Sequence, residues 1–343
     1  MIELIFTVDY EIYGDGTGSV TRLVTEPGEE LLSLFSSYKI PIVFFVEAAE
    51  FIAMERYGAL FEKELSDVKD QIRRFSASGF EIGLHLHPQW FESSYKKGQG
   101  WLLDYASYNM CILPREKIEE FVKQGIAYLR AALNDSGFIP VSFRAGNWLL
   151  QPTTVVSEVL AHHGILVDSS VFKGGYQGKY GLDYRRALSN GYYWRFSKDV
   201  NIPDEKGPLI EIPIYTKMVP IWRMLSRKRL ALSTRSKTKG ANTPSKNSSS
   251  YLDKIKRIRD FMRFTYPLKL DFCRMTFHEF SKVFEEILRE DEGTPNVLKP
   301  IVSIGHTKDL VSKDEIKRIL DFISEKSIKC STFSKIVSAL ANA

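Results

Sequence analysis

Cysteine is scarce in this chain: Cys111, Cys273 and Cys330 are three among 343 residues, far apart and without a CxxC spacing. That pattern argues against a disulfide framework or a cysteine-based metal site, and favours reduced structural thiols in a cytosol. Long apolar runs are missing too. No uncharged stretch reaches the roughly 18 residues that a membrane span needs. The first strand-like run begins at Ile2, so no secretory signal is expected ahead of it. Acidic residues are missing from one region in particular. Residues 217–274 hold 16 Lys or Arg against three Asp and no Glu, a net +13 inside a chain of +5, so the remainder nets −8. A mildly acidic body therefore carries one strongly basic segment.

What the chain does have is a recurring juxtaposition. Seven short apolar runs each end in a residue able to do chemistry: Ile5–Val8 into Asp9 and Glu11, Ile42–Phe45 into Glu47, Ile82–Leu84 into His85 and His87, Val141–Phe143 into Arg144, Ile165–Val167 into Asp168, Leu209–Ile214 into Tyr215, and Ile301–Ile304 into His306. Helical periodicity separates them. Pro27 and Glu29 open the stripe Leu31, Leu32, Leu34 and Phe35, and Pro114 leads into Ile118, Phe121, Val122, Ile126, Leu129 and Leu133 at spacings of three and four. Further helices are expected at Pro152–His163, Thr276–Arg289, Ser312–Lys326 and Phe333–Leu340, with a short strand at Lys329–Thr332. Alternating strands and helices argue for parallel pairing. Reactive side chains at the strand ends are what a parallel α/β barrel sets around its mouth.

One segment breaks the alternation. Arg235–Ser250 is Ser, Thr, Lys, Asn and Gly with almost nothing apolar, a loop by composition. It is flanked by Ile221–Leu232, where Trp222, Leu225 and Leu230 sit among Arg223, Arg227, Lys228 and Arg229, and by a basic, helix-like Tyr251–Phe264. We read residues 1–343 as one barrel with a basic insertion at about 217–276, too small and too charged to bury a core of its own. The insertion has two readings: a solvated lid, which is the one favoured, or a peripheral contact with an anionic membrane surface. Nucleic acid is not an expected partner, because the basic charge lacks any reading motif.

Two places point to chemistry most directly. In Gly83-Leu84-His85-Leu86-His87-Pro88, an extended chain sends residues two apart to the same side, so His85 and His87 can face one ion. Imidazole suits zinc and several other divalent metals. In Thr7-Val8-Asp9-Tyr10-Glu11 the same period puts Asp9 and Glu11 together, away from Tyr10. Two carboxylates beside a dication can serve as ligand and general base. His306, after Gly305, is a candidate proton donor near neutral pH. Arg144 at a strand end needs a carboxylate partner if buried, with Asp9 and Asp168 as candidates. Trp90, Phe91, Trp101 and Tyr105 follow the histidine pair and can stack on a sugar ring or simply cover the rim.

Taken in order, TVDYE (7–11), GLHLHPQW (83–90), SFRAGNW (142–148), DSSV (168–171) and SIGHTKDL (303–310) resemble the five motifs of the polysaccharide deacetylases, the NodB-homology or carbohydrate esterase family 4 proteins. The likeness is greatest to the branch associated with O-antigen and other surface-glycan biosynthesis. It implies a distorted (β/α) barrel of seven or so parallel strands and a metal-dependent deacetylation of an N-acetylated sugar. By position it implies Asp9 as catalytic base, Arg144 as the partner holding that base, His306 as general acid and Asp168 as the carboxylate tuning the acid. Glu11, His85 and His87 would hold a divalent metal, zinc by preference. Three positions depart from the pattern. Tyr10 stands where a metal carboxylate is usual, Gln89 where the second histidine is usual, and Val171 where an aromatic is usual. Two other classes stay open: a non-catalytic glycan-binding scaffold and an amidase for a small non-sugar amide. The expected partner is a carbohydrate and the expected location cytoplasmic, with contact at the inner membrane face through the insertion left open along with the oligomeric state.

Overall fold

All nine residues of β1 (Ile2–Tyr10) are buried, as a strand covered on both faces of a parallel sheet must be. From there the chain runs through α1 (Glu26–Tyr38), β2 (Ile42–Glu47), α2 (Ala48–Glu55), α3 (Glu62–Ala77), β3 (Glu81–Leu86), a small hairpin of β4 (Ser94–Lys96) and β5 (Gly100–Leu102), α4 (Arg115–Leu133), β6 (Ser142–Ala145), α5 (Thr154–His162) and β7 (Val167–Asp168). Two further hairpins follow or flank the barrel: β8 (Tyr176–Gln177) with β9 (Leu182–Asp183), and β12 (Thr216–Pro220) with β13 (Thr265–Lys269). Between them lie β10 (Trp194–Phe196) and β11 (Leu209–Glu211), and the chain ends with α6 (Phe277–Glu292), β14 (Lys299–His306), α7 (Lys313–Glu325) and α8 (Phe333–Ala341). This computed structural model describes residues 1–220 and 265–341. The expectations for Ile221–Leu232, Arg235–Ser250 and Tyr251–Phe264 lie outside the described residues.

Eight strands form one curled sheet in the order β10-β11-β7-β6-β3-β2-β1-β14, parallel except for the antiparallel edge pair β10 and β11. The open side is stitched shut by single contacts. Ile214 bridges to both Phe172 and Val302, the Tyr215 N–H donates to the Val302 carbonyl at 2.9 Å, and the Phe272 N–H donates to the Ile304 carbonyl at 3.0 Å. All seven apolar runs named from the sequence lie in this barrel wall. The expected strand at Lys329–Thr332 shrinks to a one-residue bridge from Cys330 to Leu4.

Local chemistry explains the helix starts. Thr276 and Glu279 form a reciprocal capping box before α6, and Ser312 accepts the Glu315 N–H before α7. Pro114 caps α4, whose stripe Ile118, Phe121, Val122, Ile126 and Leu129 is buried as its spacing predicts. Among the described residues, no helix is long and apolar enough to cross a membrane.

For the site, register matters most. Asp9 pairs level with His306, Glu47 with His85, His85 with Arg144, and Asp168 with Glu211. Parallel strands in this register bring seven reactive residues to one end of the barrel.

Candidate active site and metal centre

Four donors converge at the mouth. The His85 Nδ1 lies 2.7 Å from the Arg144 carbonyl, which can only accept, so Nδ1 carries the hydrogen. Its Nε2 is buried and has no hydrogen-bond partner, standing 3.5 Å from Glu11 Oε2 and 4.0 Å from Glu47 Oε2. His87 presents Nδ1 to Glu47 Oε2 at 2.7 Å and to Glu11 Oε2 at 3.2 Å. One ligand atom each from Glu11, Glu47, His85 and His87 lies within 4.8 Å of the others, and all four residues are buried. Asp9, Glu11 and His306 form an overlapping group, so Glu11 belongs to both.

The electrostatics favour a cation here. Burial would raise the Glu11 carboxyl, but Lys308, His87 and His85 hold it well below the usual carboxylate range. Lys308 Nζ takes only Oε1 of Glu11, at 2.7 Å, and leaves Oε2 to the histidines. Burial lowers His85, yet the negative charges of Asp9, Glu11 and Glu47 outweigh it and push the pKa up to about 9. Two imidazoles and two carboxylates make a donor set suited to zinc and similar ions, and a dication there would displace the proton that these carboxylates keep on His85. One detail resists. The Asn147 N–H points at His87 Nε2 across 3.3 Å, which leaves the His87 proton on Nδ1, the atom facing the carboxylates. Ligation by His87 Nδ1 therefore requires that proton to leave, and ligation by His85 Nε2 requires the loss of the proton its raised pKa holds there, whereas Glu11 and Glu47 fit as they stand.

The structure brings together the expected metal residues Glu11, His85 and His87 and adds Glu47, which sequence reading placed at a strand end without a role. Tyr10 points the other way, as the period of two predicts, and its hydroxyl donates to Gln71 Oε1 on α3 at 2.7 Å. Gln89 is buried outside the cage, with Nε2 reaching only the Gly14 carbonyl at 3.5 Å.

Beside the cage stands a second constellation. Arg144 is fully buried, and its Nη1 meets Asp9 Oδ1 at 2.5 Å. The rest of the guanidinium is held by the Ser169 carbonyl at 2.9 Å, by Thr7 Oγ1 at 3.0 Å and by the Phe45 ring 4.1 Å away. Burial would raise the Asp9 carboxyl, but Arg144, His85 and His306 bring it below its ordinary value, so Asp9 is anionic. Asp9 Oδ2 faces His306 Nε2 at 3.4 Å. Burial pulls His306 down to about 4 despite Asp9 and Asp309, so this imidazole is neutral near pH 7 rather than poised there.

Asp168 needs correcting. It was expected to tune His306, but its carboxylate accepts Ser170 Oγ at 2.7 Å and the Ser170 N–H at 3.0 Å, and it is paired with Glu211 on the neighbouring strand. The carboxylate beside His306 is Asp309, with Oδ2 3.4 Å from Nδ1 and itself ion-paired to Arg274 at 2.7 Å. Asp309 and Lys308 were both inside the SIGHTKDL motif. The turn Thr307–Asp309 folds them back over the mouth, where a strand period does not reach.

The rim is shaped by backbone as well. Asn147 and Trp148 adopt φ of 57° and 58°, a left-handed conformation costly for both, which aims the Asn147 N–H at His87. A Cβ at Gly146 would meet the Leu86 carbonyl oxygen at 2.5 Å, so only glycine lets this loop approach the histidine strand. Gly305 serves packing rather than substrate access, since a Cβ there would strike Cys273 Sγ at 2.5 Å. Trp90 and Phe91 are buried rim cover, Trp101 packs against Trp90, and Tyr105 alone of the four is mostly exposed.

No family model and no curated protein matches the chain. The solved structures similar to it include two from different organisms. One is a Mycobacterium smegmatis protein assigned as a polysaccharide deacetylase, with a TM-score of 0.51 and 13% identity over 99% of this chain and 90% of that one. The other is a GH57-type branching enzyme from the hyperthermophilic archaeon Pyrococcus horikoshii, with a TM-score of 0.54 and 12% identity over 98% of this chain and 70% of that one. The barrel type expected from the motifs is therefore the one found. Because these two proteins bear the names of different activities, function has to be argued from the site.

Proposed function

We propose that this chain is a metal-dependent deacetylase that removes the acyl group from an N-acetylated sugar, part of a surface glycan or its activated precursor. One observation carries the reading. The unpartnered Nε2 of His85 faces Glu11 and Glu47 beside His87, and Asp9 and His306 stand next to this cage. A scaffold that only packs has no use for a buried ring nitrogen left without a partner among carboxylates.

Glu11, Glu47, His85 and His87 would hold the ion, zinc by preference, and it would supply Lewis acidity toward an amide carbonyl and its attacking water. The chain's own groups do the rest. Asp9 is the base: Arg144 fixes one oxygen and leaves Oδ2 to accept a proton from water. His306 is the donor to the departing amine. Since it rests neutral, it must receive a proton within each cycle, and Asp9 Oδ2 at 3.4 Å is the group placed to pass it on. Asp309 on the other ring nitrogen steadies the imidazolium that forms.

The test is acetate release from N-acetylated saccharides by purified protein with added zinc. Asp9→Asn is expected to lower the rate about 10²- to 10⁴-fold, the usual share of general base catalysis. Full turnover by that variant removes the mechanism, and no release from any saccharide by the parent removes the function.

A further inference from the structure

We propose that Lys269, at the neck of the insertion, binds an anionic group on the substrate, a carboxylate or a phosphate ester carried by the sugar. The inference rests on the deacetylase reading for its sugar and on independent geometry for its charge.

β12 and β13 form the neck, with Thr216 level with Lys269. Immediately after Lys269 the chain rejoins the barrel, as the Leu270 N–H donates to the Tyr215 carbonyl at 2.9 Å. The neck thus brings its last paired residue to the mouth. Lys269 Nζ lies 3.2 Å from the centre of the Trp148 ring and 4.6 Å from that of Phe172. The same Trp148 ring stands edge-on to His306, centroids 6.2 Å apart, so one indole touches both the ammonium and the proposed proton donor.

This cation has an aromatic floor and no anion. Among the described residues, the Lys269 side chain makes no hydrogen bond or ion pair. The nearby carboxylates are engaged elsewhere: Asp9 with Arg144, and Asp271 with the backbone N–H groups of Cys273 and Arg274. Burial pulls the Lys269 pKa down to about 7 against the pull of Asp271 and Asp9. A half-buried ammonium without a counter-charge is costly, and a substrate anion would supply what the protein omits. The platform is also fixed in advance. Trp148 is held in its left-handed conformation, and the Tyr184 hydroxyl donates to its carbonyl at 2.5 Å.

Calorimetric titration of the full chain with N-acetylglucosamine, its uronic acid and its 1-phosphate tests this without requiring turnover. The parent is expected to bind at least one anionic sugar about tenfold or more tightly than the neutral one, and the uronate and phosphate arms separate the two sources of charge. Lys269→Met should bring all three affinities within about twofold, Lys269→Arg should keep the preference, and Lys269→Glu should reverse it. Equal binding by the parent, a preference that survives in Lys269→Met, or no binding of either anionic sugar at millimolar concentration overturns the proposal. Anion preference that depends on Lys269 without acetate release would keep this inference and sink the deacetylase reading. Acetate release with no preference would do the opposite.

Discussion

Two buried acidic clusters sit at the same end of the barrel and behave in opposite ways. In the cage, Glu11 is kept anionic by Lys308 and two histidines, and a ring nitrogen is left without a partner. A few strands away, Asp168 and Glu211 face each other from paired positions of β7 and β11; burial raises both carboxyls, and Asp168 drives Glu211 well above the usual range while the hydrogen bond from Glu211 holds Asp168 back. Two carboxyl groups that hydrogen-bond to each other hold one proton between them rather than two charges. The difference teaches what depth and composition alone do not. Carboxylates grouped with cations and two imidazoles offer a metal ion mixed donors, while Asp168 and Glu211 have no imidazole between them and form a clip with Ser170 and backbone N–H groups, in which Glu211 Oε2 alone lacks a donor.

The sharpest way to break that contrast is to remove one imidazole. His85→Ala deletes the unpartnered donor, and we expect stoichiometric zinc to be lost on dialysis while the parent retains it. Asp168→Asn, equally buried and acidic, is expected to keep the zinc of the parent. Elemental analysis of both variants decides: zinc retained by His85→Ala, or lost from Asp168→Asn, would erase the distinction.

A smaller change probes the member of the cage that sequence reading left without a role. Glu47→Gln keeps the shape and removes one charge beside His87 Nδ1. An affinity loss of about 10- to 100-fold is expected, the range seen when a group that orients or supports a ligand is altered. Competition with a chelator measures it, and unchanged affinity would place Glu47 outside the centre.

The barrel was legible because strands and helices have different periods and the apolar runs ended in reactive residues. The pair His85 and His87, and the turn of Tyr10 away from Asp9, followed from the period of two alone. What escaped has a common physical cause. Glu47 is a single acid at a strand end, and only the register between β2 and β3 brings it to His85. Asp168 was sent toward His306 by the resemblance, but its neighbour is decided by the pairing of β7 with β11, a contact across strands that a linear reading does not contain. Lys308 and Asp309 lie in a tight turn after His306, where the extended-chain period stops applying. Lys269 was counted with the insertion, and its place at the mouth depends on where the chain rejoins the barrel.

The mildest perturbation sharpens the comparison from the clip's side. An ordinary glutamate in an unfolded chain ionises near pH 4.3. In the folded protein burial and Asp168 hold the Glu211 proton to much higher pH. Below the unfolded value both states carry the proton, and the clip's contribution is complete. As pH rises from there through the folded value, the unfolded chain gives up its proton while the fold keeps it, so stability falls by about 1.4 kcal/mol per pH unit from this group. Glu211→Gln cannot ionise and keeps a hydrogen-bond donor for Asp168, so its stability should lack that decline. Thermal melts of parent and variant between pH 5 and 8 should therefore diverge, with the variant gaining relative to the parent as pH rises. Parallel curves would mean that Glu211 is already ionised, and that the clip is held by charge in the same way as the cage.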